Sequence, residues 1–247
     1  MRYRRSSPCI LPSGMLSFCE YLPCAGMSNK EYTEKFKIKA TKIPLNQPHR
    51  EANAVDEVEE FSKIVTSTYS MSEKDWIKSN IFSCVVQCFH HGGLLPFFAI
   101  YLHNEKGIKY TDFYLSLIDY IRNNPQSLMH KVLAKIESRL ESVIEKGSAL
   151  TFVDERFGDV IWPTEEYALL NLVYNLEDFY EEAKCFLSKY FDDESIFNQL
   201  MTFQKLMLKK PGDATSEVAF DYNFYDYFNA IYKNEVAEFE SQRNICK

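Results

Sequence analysis

The chain has 247 residues, 46% of them hydrophobic and 26% charged, with a formal net charge of -7 and a pI near 5.4. That length suits one main domain, with or without a helical extension, and the balance of apolar and charged side chains is that of a folded globular protein. The acidic surplus leaves no basic surface with which to displace counterions from phosphates, which sets nucleic acid aside as a partner.

Sixteen tyrosines and nineteen phenylalanines are the unusual part of the composition; they suit a broad helical core or an interface in a larger assembly. Seven cysteines, an odd number without close pairing, fit reduced thiols and a cytoplasmic location. The opening Met1-Arg2-Tyr3-Arg4-Arg5 resembles the start of a signal peptide, but Pro8, Pro12, Ser13 and Gly14 interrupt the apolar region that would have to follow. The most apolar stretch, residues 92–102, is shorter than the roughly 20 residues a bilayer-spanning helix needs. No membrane span is expected.

In chain order, residues 1–27 lack periodicity and read as loop or irregular strand. Ser28 with Glu31 has the spacing of a capping box, and a short helix over residues 29–37 should follow, with Tyr32 and Phe36 four apart. Pro44, Pro48 and the acidic residues Glu51, Asp56, Glu57, Glu59 and Glu60 make a connector. Residues 64–69 are β-branched and predict a strand. Ser72 with Asp75 marks a second capping box, and Trp76, Ile77, Ile81, Val85, Cys88 and Phe89 recur at helical spacing up to Gly92-Gly93.

Pro96 opens a buried helix, Thr111 caps one carrying Phe113, Tyr114, Leu117, Ile118 and Ile121, and Pro125 opens a third that Gly147 terminates. Residues 149–163 lose the period and read as a long, partly ordered loop. Thr164 is expected to cap a helix reaching about Tyr190. Asp192 and Asp193 begin another, closed by Lys209-Lys210 and Pro211-Gly212. A last aromatic helix follows Asp221, with Phe224, Tyr227, Phe228, Ile231 and Phe239 as its buried positions. The fold class is mainly α: a helical bundle-like domain over residues 61–247, preceded by an irregular segment over residues 1–60 with one short helix and the acidic connector, and at most one or two short strands.

The strongest candidate for chemistry is Cys84, Cys88 and His91, which would share one face of an unbroken helix. Two thiolates and an imidazole are sensible metal ligands, with His49 or His103 as a fourth. The competing reading makes both cysteines small apolar core residues, and their helical setting favours it. His90-His91-Gly92-Gly93 invites comparison with anion-cradling loops but follows no strand and reads as a helix stop. Glu165-Glu166 fits the first turn of a helix, where the dipole favours carboxylates. Asp154, Glu155, Arg156 and Asp159 are candidates for a binding edge, and Tyr222, Tyr225 and Tyr227 for core or interface.

Several stretches together carry a family resemblance. Phe18-Cys19-Glu20-Tyr21-Leu22-Pro23-Cys24-Ala25-Gly26-Met27, then Tyr32, Phe36 and Ile43-Pro44-Leu45, resemble the segment after the catalytic barrel of cobalamin-binding radical S-adenosylmethionine proteins. Residues 64–68, Ser70-Met71-Ser72 with Asp75-Trp76, Leu94-Leu95 with residues 99–103, and Phe157-Gly158-Asp159 with residues 162–166 continue it in order. The resemblance implies a family that uses an iron–sulfur cluster, S-adenosylmethionine and cobalamin. It carries over no catalytic or cofactor-binding residue, because the C-x-x-x-C-x-x-C cluster motif is absent and Cys84 and Cys88 are followed by His91 in a helical tail. It implies a helical C-terminal or accessory portion, a gene fragment or split subunit that holds no cofactor by itself and is not catalytic alone, with a separate radical S-adenosylmethionine barrel chain as its partner. The alternative is a stand-alone helical binding or scaffold protein without catalysis.

Overall fold

The computed structural model describes residues 18–53, 58–208 and 217–241. The expectations for residues 1–17, for Asp56 and Glu57, and for the stop formed by Lys209, Lys210, Pro211 and Gly212 lie outside the described residues. Among these, nine α-helices and two two-stranded antiparallel sheets are present, a mainly α architecture in line with the periodicity.

Helix α1, Lys30–Phe36, begins one residue later than the Ser28 capping box implies. Asn29 is its N-cap, with extended backbone angles and a side chain that accepts from the Glu31 amide at 2.9 Å. Ser28 closes a preceding 3₁₀ turn, and its hydroxyl donates to the carbonyls of Pro23 and Ala25. Strand β1, Lys39–Pro44, pairs with β2, Phe61–Ser67, so the ladder joins segments on both sides of residue 60. Helix α2, Glu73–Val86, carries the reciprocal Ser72–Asp75 box in full. Hydrogen bonds from the Ser72 hydroxyl and amide hold the Asp75 carboxyl below the usual carboxylate range. The helix runs on into a π turn, Gln87–His91.

Helix α3, Pro96–Lys106, starts at Pro96, as expected. Helix α4, Tyr110–Arg122, already includes Thr111 in its first turn, so Thr111 does not cap it. Helix α5, Leu128–Lys146, starts three residues after Pro125. Ser127 is its N-cap, and the Glu182 carboxylate accepts from the Leu128 and Met129 amides. A distant carboxylate and a local serine together satisfy the amides that every helix start leaves open, which moves the start away from the proline.

Gly147 ends α5 with φ of 66°, and a Cβ there would lie 2.5 Å from the Lys42 carbonyl oxygen of β1. Gly147→Ala should therefore lower stability by about 2 kcal/mol, from left-handed strain plus displacement of β1. Thermal unfolding checks it, as a fall of roughly 4–8 °C.

The stretch read as a loop at residues 149–163 is more ordered than its lost helical period suggests. Strands β3, Thr151–Phe152, and β4, Trp162–Pro163, pair antiparallel, with a 3₁₀ turn at Glu155–Phe157 between them. Helix α6, Thr164–Tyr174, is flanked by Pro163 rather than capped by Thr164, whose hydroxyl donates to the Leu150 carbonyl at 2.7 Å. The single helix expected to reach Tyr190 is broken at Asn175, and α7, Leu176–Leu187, follows. Asn175 leaves the helical region with φ of -114° and ψ of 48°, and its side chain donates to the Asn171 carbonyl at 3.1 Å. Helix α8, Glu194–Met207, is capped by Asp193, which accepts from the Ser195 and Ile196 amides. Helix α9, Phe224–Tyr232, buries Phe224, Tyr227, Phe228 and Ile231. Phe239 lies beyond α9, half-buried against Tyr101 and Tyr222.

The described residues form two compact units. One combines Phe89–Leu117 with the chain from Ala183 onward. Its core is a ring cluster of Phe97, Phe203 and Phe228, with Phe97 4.8 Å from Phe228 and 5.0 Å from Phe203, and Tyr101 stacked on Phe191. The other combines residues 18–88 with Ile118–Glu182. There α5 packs on α2, α6 and β1, and α2 also packs on α6 and β2. Much of the aromatic excess is thus spent on cores within the units.

Candidate functional site

Cys84 and Cys88 lie on consecutive turns, and both are buried in the second unit. Cys88 Sγ donates to the Glu165 carbonyl at 3.1 Å. Its hydrogen bond with Cys84, then burial, push the Cys88 thiol well above its ordinary range, so Cys88 stands as a packed, protonated thiol beside the buried Cys84. The π turn at Gln87–His91 adds a residue to the local helical repeat, and His91 is exposed and belongs to the other unit. His49 and His103 are engaged elsewhere: His49 Nε2 meets Glu166 Oε2 at 2.6 Å, while His103 Nδ1 meets the Ile108 carbonyl and its ring stacks on Tyr110 at 4.4 Å. Among the described residues no three His, Cys, Asp or Glu side chains come together to hold a metal ion. These residues do not fit an iron–sulfur cluster.

The His90-His91-Gly92-Gly93 segment is a helix stop. The Gly93 amide donates to the His90 carbonyl, Leu95 donates to Phe89, and Gly93 has φ of 83°. The Gly93 amide is therefore occupied by the preceding turn. His90 is buried, shares a 2.8 Å hydrogen bond with the Tyr114 hydroxyl, and has its pKa lowered to about 4 by burial and by the neighbouring His91.

The charged loop residues form a brace. Asp154 accepts from the Arg156 amide and from its guanidinium at 2.9 and 2.6 Å, which lowers the Asp154 pKa to about 2. Arg156 also donates to Asn171 Oδ1 at 2.7 Å, and the Tyr167 hydroxyl reaches Asp154 while accepting from Lys135. Phe152 stacks on Tyr167 at 4.2 Å, and the Arg139 guanidinium lies over the Phe152 ring at 4.7 Å. Nearby, Asn53 donates to Asp159 at 2.7 Å, and the backbone of His49–Ala52 pairs with that of Asp159–Ile161. Glu166, in the first turn of α6, meets His49, while Glu165 is the Cys88 acceptor. Asp154, Arg156 and Asp159 thus pin the loop to α6 and to residues 49–53. Lys135, Tyr167 and Asn171 went unread in the sequence; the only signal is the four-residue spacing of Tyr167 and Asn171.

Tyr222 and Tyr225 line a groove of about 430 Å³ with Phe203, Leu206, Met207 and Phe220, at the end of α8 and the start of α9. Tyr227 does not join them; it is buried and donates to Glu105 at 2.9 Å. Among the described residues no single helix is long and apolar enough to cross a membrane.

No family model matches the chain. Over 124 residues, 50% of its length, it is 27% identical to the cobalamin-dependent radical SAM methyltransferase TokK of Streptomyces tokunonensis. The chain is similar to a cobalamin-dependent radical SAM enzyme. The matched stretch amounts to 18% of that relative's length, so the chain corresponds to a minor part of it. This likeness supports, at the level of the family, the resemblance carried by the residues quoted above.

Proposed function

We propose that the chain is a helical accessory portion of a cobalamin-dependent radical S-adenosylmethionine system, closing the substrate side of a barrel supplied by another polypeptide and holding no catalytic group of its own. The observation that carries this reading is the likeness to TokK over half the chain. Cys84 and Cys88 are both buried, and Cys88 donates to the Glu165 carbonyl. The cluster, S-adenosylmethionine and cobalamin would then be bound outside these residues.

The test is to sequence the DNA upstream of Met1 and to express the chain anaerobically with any neighbouring C-x-x-x-C-x-x-C barrel polypeptide. The expected result is a co-purifying complex whose iron resides in the partner, with iron and zinc substoichiometric on the chain alone. A chain that binds iron by itself, or ignores the barrel polypeptide, would overturn the proposal. The aromatic groove at Phe203, Phe220 and Tyr225 favours a second reading, a stand-alone helical binding protein, which expects a folded monomer indifferent to the barrel polypeptide and to S-adenosylmethionine.

A further inference from the structure

The chain that follows α9 returns to the start of that helix. Asn234, with φ of 57°, turns the backbone, and from Lys233 to Ser241 every residue is exposed except Ala237 and Phe239. Phe239 is half-buried in a slot of four rings. Tyr222 stacks on it at 5.2 Å and 12°, Tyr101 and Tyr227 meet it edge-on at 5.1 and 5.3 Å, and Phe224 lies at 5.5 Å. Three of these walls have supports outside the tail: Tyr101 stacks on Phe191, Tyr227 donates to Glu105, and Phe224 packs on Phe203. One ring thus anchors an otherwise exposed segment in a slot that has its own supports.

The backbone on both sides of that ring is held by one side chain. Asn223 stands at the N-cap of α9, where an asparagine ordinarily accepts from an amide of its own helix, yet it makes no such bond. Its Oδ1 accepts from the Glu240 amide at 2.9 Å, and its Nδ2 donates to the Glu238 carbonyl at 3.0 Å. The Asn223 amide donates to the Glu240 carbonyl at 3.2 Å, and Tyr222 and Ser241 form an antiparallel bridge. Main-chain hydrogen bonds for affinity and a pocket for one side chain between them are the elements of strand-adding peptide recognition. The backbone contacts are indifferent to side-chain identity, so specificity falls on the ring. The segment seen to fit is the chain's own, so the same segment of a second copy fits equally. The tether favours the cis arrangement by effective concentration.

We propose that residues 235–241 are a peptide ligand held in cis, with Phe239 in an aromatic slot and its flanking backbone clasped by Asn223, a latch that the same segment of a second copy can replace. The proposal is independent of the accessory reading above. The experiment measures, by fluorescence anisotropy, binding of a labelled peptide of residues 235–241 to the full chain. Wild type, whose slot is filled, should bind it at least tenfold more weakly than Phe239→Ala, whose slot is vacated. Replacing the peptide's phenylalanine by alanine should weaken binding to Phe239→Ala at least tenfold, and so should adding Asn223→Ala to that chain. Because the Asn223 side chain makes no cap, circular dichroism should show helix content unchanged by its loss. Equal binding to wild type and Phe239→Ala, or none to either at millimolar peptide, would overturn the latch. Binding that ignores the peptide's phenylalanine would overturn it too. So would a Phe239→Ala chain that fails to fold, because Phe239 would then be a part of the core rather than a ligand.

Discussion

Replacing Gln204 with alanine should destabilise the protein by about 4 kcal/mol, a larger loss than any surface change. Gln204 lies on α8 with 0% exposure. Its Oε1 accepts from the Phe97 amide at 3.3 Å, and its Nε2 donates to the Gly93 carbonyl at 2.8 Å. Helix α3 begins with Pro96, which has no N–H, after Leu95, which offers no side-chain cap. Phe97 is therefore the first amide of that helix needing a partner, and Gln204 supplies it from another helix. Truncation leaves a buried donor and a part-buried acceptor without Gln204, at roughly 1–3 kcal/mol for a fully buried group, and adds a cavity.

Gln204→Leu separates these contributions, because it fills similar volume without either hydrogen bond. Both variants should unfold well below wild type in urea, with alanine the worse. A leucine variant as stable as wild type would show that the two hydrogen bonds contribute nothing net, and the explanation for the buried glutamine would fall.

Gln204 also shows what the sequence could and could not reveal. Nothing in its neighbourhood distinguishes it from a surface glutamine, because its meaning lies in Gly93 and Phe97, more than a hundred residues away. Glu182 at the start of α5 is the same case: the proline read as the helix start was local, whereas the carboxylate that serves the open amides comes from α7. Where both partners are adjacent in sequence, as with Ser72 and Asp75 or Asp193 and Ser195, the boundaries could be read directly. Helical spacing found α2, α4, α5 and α8, whereas α3 was legible from Pro96 and an apolar run on both faces. It passed over Asn175, where the backbone leaves the helical region while the hydrophobic pattern on either side runs on. The short strands β1, β3 and β4 were missed because two to six residues of mixed polarity carry little period-two signal.

The same limit governed the candidate site. Cys84, Cys88 and His91 were grouped by ideal helical geometry, and a π turn that no pattern announces intervenes. Asp154 and Arg156 were visible as loop charges, but the side chains that hold them, Tyr167, Asn171 and Lys135, come from two other helices. The Tyr32 and Phe36 spacing was legible as a helix face, whereas its exposure was not, because exposure depends on what the remaining chain leaves uncovered.

The second large effect is one of pH. His90 is 6% exposed, and its pKa in the folded state is about 4, lowered first by burial and then by His91. In the unfolded chain an ordinary histidine titrates near 6.5. A folded pKa below the unfolded one means that the unfolded state binds the extra proton first. The stability associated with neutral His90 is therefore fully present above about pH 6.5 and is lost as pH falls toward 4, by about 3 kcal/mol over that window. Urea unfolding at steps from pH 7.5 to 4 measures it. Carboxylates begin to titrate in the lower part of the same range, so the decisive quantity is the difference from His90→Asn, whose side-chain amide stands near the ring Nδ1 and can keep the 2.8 Å contact to the Tyr114 hydroxyl. The variant should be the less stable protein at neutral pH and should lose ground more slowly on acidification, so the two stability curves converge. Parallel curves would mean that His90 charges without penalty in the folded protein, and that burial around it is relieved before the proton arrives.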